Sequence, residues 1–243
     1  TGTTTLTDPN VTDNCSLGGN GLNFDGSNDQ VVTAAYSGTA LTGDLTMECW
    51  FKGTSMDGRA LFGRGFQQEF DLALWSNQLT YYHGNGSATY AEVNFSYIFT
   101  DNTWYHVAVV RNASAQTVSL YVNGALQQTL SYGTPLPVAQ TAEFRIGNRA
   151  VGTLFLGTID EVRVWTVART AGQIAANRNL ELAAQPDLYA LYHLNEGIAN
   201  GNNAGATTAA DASGNAQDGT LTNFALSGTT SNWVIGALGG LTN

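Results

Sequence analysis

Lysine is almost absent from this chain: Lys52 stands alone among 243 residues. Charge of either sign is scarce, since Asp, Glu, Lys and Arg together make up 12% of the sequence, about half the globular average. What charge there is runs acidic, with 19 carboxylates against 9 basic groups and a formal net charge of −10. Such a surface repels phosphate backbones and anionic headgroups, which argues against nucleic-acid binding and adsorption to anionic membranes. No stretch approaches the ~20 consecutive apolar residues of a membrane span, and no signal-peptide pattern opens the chain, so it reads as a processed or excised fragment. Cysteine is limited to Cys15 and Cys49. In an oxidising compartment a bond between them would contribute roughly 3–4 kcal/mol by loop entropy. The alternative is that Cys49, within the alternating run Leu45, Met47, Cys49, Phe51, is a small core residue.

What remains is apolar and turn-forming material. Hydrophobic residues make up 43% and aromatics 10%, enough to offset chain entropy and to build one sizeable core. Residues 1–14, rich in Thr, Asp and Asn without an apolar period, read as a linker or arm, and 15–243 as one domain. Short β-rich runs follow at 21–26, 45–52, 60–63, 70–75, 79–83, 90–97, 104–111, 117–122, 144–146, 157–165 and 188–194. Turn pairs such as Asp25-Gly26, Asn85-Gly86 and Asn123-Gly124 punctuate them. A single helical segment is expected over Arg169–Leu182, behind Thr170. Strands this short bury their apolar faces only against another sheet, so the expected fold is all-β, a two-sheet antiparallel sandwich with one short helix.

The order of motifs is more specific than any one of them. Leu22-Asn23-Phe24-Asp25-Gly26-Ser27-Asn28-Asp29, Leu45-Thr46-Met47-Glu48-Cys49-Trp50-Phe51 and Trp104-Tyr105-His106-Val107-Ala108 come first. Leu120-Tyr121-Val122-Asn123-Gly124, Phe144-Arg145-Ile146-Gly147 and Gly157-Thr158-Ile159-Asp160-Glu161-Val162-Arg163-Val164-Trp165 follow. Together they resemble the LamG-like jelly-roll domains of the concanavalin A-like lectin/glucanase superfamily. The tail from Leu191 through Asp211-Ala212-Ser213-Gly214 to Leu221 looks like a strand that many relatives carry first, an order similar to modules on secreted and surface proteins of Bacteroidota-type bacteria. The resemblance implies a calcium-stabilised sandwich that binds glycans or mediates adhesion, usually beside other domains.

Against that background several residues become candidates. The carboxylate excess invites a cation, with extracellular calcium the natural one. Asp25, Asp29 and Asp160 at turns or strand ends, joined by Glu196 and Asp211, are the expected oxygen ligands, unless they are turn residues capping their own backbone. Plain alternation puts Asp160, Val162 and Val164 on one face, with Glu161 and Arg163 an exposed ion pair on the other. His106 reads as a packed sheet residue. Glu69 and Asp71 match two positions of the acidic strand motif that superfamily glucanases carry, but Leu74 occupies the third, so a retaining carboxylate pair is not expected. Trp75, Tyr81, Tyr82, His83 and Tyr90, with Arg64 and Asp71, offer aromatic faces and oriented hydrogen bonds suited to sugars, unless most of these aromatics fill the core. If Phe70, Leu72 and Leu74 face the core, then Asp71, Ala73 and Trp75 face the ligand side. The expected function is a non-catalytic, calcium-stabilised carbohydrate-binding or adhesion module, secreted or at the cell surface. Its partners would be a glycan or cell-surface polysaccharide, neighbouring domains, or copies of itself. The alternative is a structural protomer of an extracellular fibre or surface layer.

Overall fold

A computed structural model describes residues 19–36, 38–65, 68–85, 89–149 and 152–240, so the expected arm at 1–14 and Cys15 lie outside it. The first strands are β1 (Asn20–Asp25), β2 (Gln30–Thr33), β3 (Leu45–Gly53), β4 (Arg59–Arg64), β5 (Phe70–Trp75) and β6 (Gln78–Gly84). Then come β7 (Tyr90–Ile98), β8 (Tyr105–Asn112), β9 (Thr117–Val122), β10 (Ala125–Ser131), β11 (Phe144–Ile146) and β12 (Leu156–Trp165). Helix α1 (Ala171–Asn177) precedes β13 (Leu188–Tyr192), β14 (Thr208–Ala209), β15 (Gly219–Thr222) and β16 (Asn232–Ile235). They form two antiparallel eight-stranded sheets: sheet A in the order β10-β9-β8-β3-β12-β1-β16, with β13 also on β12, and sheet B in the order β14-β15-β2-β11-β4-β5-β6-β7.

Period-two alternation decides which residues lie between the sheets. Along β7, Ala91, Val93 and Phe95 turn inward while Tyr90, Glu92 and Asn94 face solvent. On β5 the inward residues are Phe70, Leu72 and Leu74, as the sequence implies. Rings interlock in the resulting core; Phe51 meets Phe99 edge-on at 5.2 Å and Phe155 at 6.4 Å. Each fully buried ring contributes about 1.5–3 kcal/mol of transfer free energy. One apolar cluster runs from Leu22 to Trp233, because β16 pairs with β1 and β15 with β2. The last described strands thus flank the first in both sheets.

Sheet A's outer face is not left to solvent. Thr170 opens α1 through a capping box with Gln173, and Ile174, its one buried residue, packs on Ala108 and Val110. The helix is shorter than the expected 169–182: Leu180 is 50% exposed, and Leu182 packs with Trp165, Leu188 and Leu191 instead of on the Ile174 cluster. The end of the helix is held by side chains rising from the sheet. Arg163 donates to the carbonyls of Asn177 (3.0 Å) and Leu180, and the Trp50 indole donates to Arg178 O at 2.7 Å. These bonds satisfy carbonyls that a helix C-terminus leaves open.

A β-bulge produces this arrangement. Between Asp160 and Arg163 the register of β12 against β3 slips, and Glu161 takes φ 50°. The extra residue flips the alternation, so Asp160 pairs opposite Trp50 on the outer side, while Val162 and Val164 return to the core. Simple alternation places Asp160 with the valines; the bulge corrects that. It also corrects the exposed ion pair: Glu161 and Arg163 are 2% and 0% exposed and meet at 2.7 Å, with Glu48 3.8 Å from the same guanidinium. Trp165 donates to Glu48 at 2.8 Å, and His193 lies 2.6 Å from Glu161. Removing Arg163 strands two buried carboxylates beneath the helix. Arg163→Ala is therefore expected to lower stability in urea or guanidinium melts by about 3–5 kcal/mol, whereas a loss below about 1 kcal/mol, typical of surface pairs, would refute the network.

Candidate functional site

Sheet B's outer face carries no helix, and its β5–β6–β7 corner collects aromatic and polar side chains. Cross-strand register sets the pattern: Asp71 pairs with Tyr82, Ala73 with Thr80 and Trp75 with Gln78, and across the next interface Tyr82 pairs with Glu92 and Gly84 with Tyr90. Tyr82 and Tyr90 have ring centroids 6.0 Å apart. From Gln78 to Gly84 this aromatic row extends about 20 Å at the usual rise per residue, long enough for an oligosaccharide. Trp75 and Tyr90 are 36% and 40% exposed at its two ends, while Tyr82 between them is 4% exposed. Arg149, brought across the sheet by the segment after β11, sits with its Cζ 4.4 Å from the Tyr82 ring centroid. Burial pushes the Tyr82 phenol up, and hydrogen bonds from Arg149 and Trp75 offset part of that rise. Gly63 faces Asp71 across β4, and a Cβ there would collide with the Asp71 carboxylate.

Of the expected ligand residues, the structure brings Asp71, Trp75 and Tyr82 together on this face. Arg64 and His83 are elsewhere. Arg64 is 1% exposed; it pairs with Glu69 at 2.8 Å and donates to Thr39 O at 2.8 Å, to Gln140 O at 3.1 Å and to Tyr36 O. His83 is fully buried, 2.8 Å from both the Tyr81 hydroxyl and Pro135 O, and burial lowers its pKa to about 4. Both occupy core-side positions because backbone carbonyls from distant loops give their polar atoms partners. Glu69 accepts from Leu41 N as well as Arg64, so it does not join Asp71 in an acidic pair. Tyr90 joins them on this face and Tyr81 lies in the core, while Arg149 completes the face without having been singled out, since no periodicity marks a loop arginine.

A family model described as the concanavalin A-like lectin/glucanases superfamily matches residues 25–175. The chain belongs to that superfamily. Among solved structures it is similar to a candidate carbohydrate-binding protein from Bacteroides ovatus, at 21% identity and a TM-score of 0.64, covering 84% of this chain and 58% of that one. A heptameric SAP-like pentraxin from Limulus polyphemus aligns at 15% identity and a TM-score of 0.52, over 66% of this chain and 82% of its own. The ligand-binding domain of botulinum neurotoxin serotype D, solved with N-acetylneuraminic acid, gives 15% identity and a TM-score of 0.52, over 65% of this chain and 41% of that one. At these identities the likeness is one of fold. No curated protein matches the sequence. No described helix is long and apolar enough to cross a membrane.

Calcium, implied by the resemblance, needs several oxygen ligands around one point. Among the described residues the five expected carboxylates do not gather around one point. Asp29 accepts from Asp25 N at 2.9 Å and from the Ser231 hydroxyl at 3.0 Å, and burial raises its pKa to about 6. Asp25 accepts from Ser27 N and Asn28 N. Glu196 accepts from Ala210 N, and Asp211 from Leu191 N, Ser213 N and Gln217 N. Asp160, under the tail, accepts from Ala237 N at 2.8 Å, and burial, reinforced by Glu161, pushes its pKa well above the ordinary carboxylate value. These are turn-capping roles, and among the described residues no three His, Cys, Asp or Glu side chains gather as a metal site. Cys49 is a free thiol with no exposure, while its expected partner Cys15 lies outside the described residues. Asp160→Asn is nearly isosteric, keeps an oxygen to accept from Ala237 N and removes a charge from a buried position, so it should change stability by less than about 1 kcal/mol. Any Tm response to calcium or chelator should be the same in wild-type and Asp160→Asn protein, since Asp160 shares no cluster of carboxylates among the described residues. A chelator-sensitive Tm lost in Asp160→Asn would contradict this assignment.

Proposed function

We propose that the chain is a non-catalytic carbohydrate-binding module of an extracellular protein, and that sugars lie along the Trp75–Tyr82–Tyr90 row of sheet B. The observation that carries this reading is a half-exposed indole and a half-exposed phenol at the ends of a row whose centre is stiffened by Arg149 over Tyr82. Apolar faces of pyranose rings stack on such surfaces, and Glu92, Asn94 and Gln78 beside the row supply hydrogen bonds to hydroxyls. Support for a binding role over hydrolysis comes from Glu69, which is engaged by Arg64 and Leu41 N while Asp71 faces the opposite side. Hydrolysis with retention needs two carboxyls about 5–5.5 Å apart across one bond.

The test is one side chain. Because Trp75 is 36% exposed, Trp75→Ala should cost less stability than the ~3–5 kcal/mol of a fully buried aromatic. The same variant should lose binding to the best ligand of a glycan array, read by calorimetric titration. Unchanged affinity in a folded Trp75→Ala protein would refute the site.

A further inference from the structure

Across the sandwich from that row, the outer face of sheet A holds a second site. Beyond the end of α1 a cleft of about 420 Å³ opens between β3 and β1, lined by Asn23, Asp25, Lys52, Thr54, Asn102 and Thr158. Its floor is one register row. Lys52 pairs with Thr158, and Thr158 with Asn23, so three adjacent strands set these side chains in line across about 10 Å. Asn23 Nδ2 donates to the Thr158 hydroxyl at 3.1 Å, which fixes the middle of the row.

Lys52 is the feature that needs a reason. Five of the eight arginines are buried, and the chain's only lysine is left half-buried at this rim with no carboxylate partner among the described residues. Its ammonium lies 5.2 Å from the centroid of the half-buried Trp104 ring. In a protein of net charge −10, an unpaired cation held over an aromatic face and ringed by amides and hydroxyls matches a hydroxyl-rich ligand with one anionic group. We infer that this cleft binds a carboxylated saccharide of the uronate type. The carboxylate meets Lys52 in a charge-assisted hydrogen bond, the apolar ring face lies toward the half-buried Leu156 in the cleft wall, and Asn23, Asn102 and Thr54 take hydroxyls. Asp25, two strands from Lys52, repels a second negative charge and accepts hydroxyl protons instead, which sets the direction of the chain. A phosphate or densely sulfated ligand meets the same carboxylate and the protein's overall field, and is disfavoured.

A single lysine makes the test specific. Wild-type protein is acetylated with an amine-reactive ester, and modification of the Lys52 peptide is followed by mass spectrometry with trigalacturonate, trimannuronate or triglucuronate, or with the methyl ester of each. At about 10 mM, ten times a millimolar Kd, at least one uronate should slow Lys52 acetylation about tenfold while its uncharged ester does not. Lys52→Gln should weaken that uronate about tenfold or more in calorimetric titrations, an effect that fades as salt rises, whereas Trp75→Ala leaves it unchanged. Absence of protection by all three uronates, or equal protection by the esters, overturns the inference. Because the protection assay uses the unaltered protein and a cleft apart from the aromatic row, its outcome is independent of the sheet B site.

Discussion

Three guanidinium groups lie inside the fold at 0–1% exposure, and the loops around the sandwich close on them. Arg111 donates to Gly43 O, Leu41 O and Glu69 O and to the Tyr81 hydroxyl. Arg64 gathers the carbonyls of Tyr36, Thr39 and Gln140 against Glu69, and Arg163 ties the carbonyls after α1 to Glu161 and Glu48. A planar fork of five donors suits irregular backbone, which otherwise carries buried carbonyls without partners. Unpaired buried charge is expensive, so each guanidinium and the groups around it must be ordered together or not at all. That constraint holds Tyr36, the 39–43 segment and Gln140 against sheet B and the α1 region against sheet A.

The same arrangement explains the surface. With so few basic groups and most of them internal, the exterior is acidic, hydroxyl-rich and almost free of fixed cations, a surface that repels polyanions and offers many neutral hydrogen-bonding groups. The two outer faces then diverge. Sheet A's carries α1 and its charged network and leaves the cleft at Lys52; on sheet B's, Asp71, Ala73, Thr80 and Tyr82 are buried, and Trp75 and Tyr90 stand exposed at the ends of the row. One sandwich thus presents a stacking surface on one side and the Lys52 cleft on the other, and saccharides with and without a carboxylate would sort between them.

Much of this was legible in the sequence wherever period-two alternation ran undisturbed. The face assignment on Phe70 to Trp75, the core role of Phe144 and Ile146, and the packed position of His106 beside Trp50 at 5.4 Å all follow from it. It failed where one residue broke the count. Glu161 at φ 50° has no compositional mark, yet it moves Asp160 to the other face and converts an apparent surface pair into a buried one. Arg64 and His83 look like polar residues on a binding strand because their partners, carbonyls of Thr39 and Pro135, are supplied by loops whose path no local pattern reveals. Strand β10 escaped notice because all of its residues are exposed or half-buried, so the Asn123-Gly124 turn before it was its only signal.

The five tryptophans allow the central claim to be tested in one experiment. Trp75 is 36% exposed on the aromatic row and Trp104 lies at the Lys52 cleft, while Trp165 and Trp233 are 3% and 0% exposed and Trp50 is bonded to Arg178 O. Indole N–H signals of the labelled protein, followed by NMR during titration with a neutral oligosaccharide that it binds, report which face is occupied. The account predicts that the Trp75 signal shifts to saturation while those of Trp50, Trp165 and Trp233 stay in place. Saturable binding of that sugar with the Trp75 signal unmoved would contradict it.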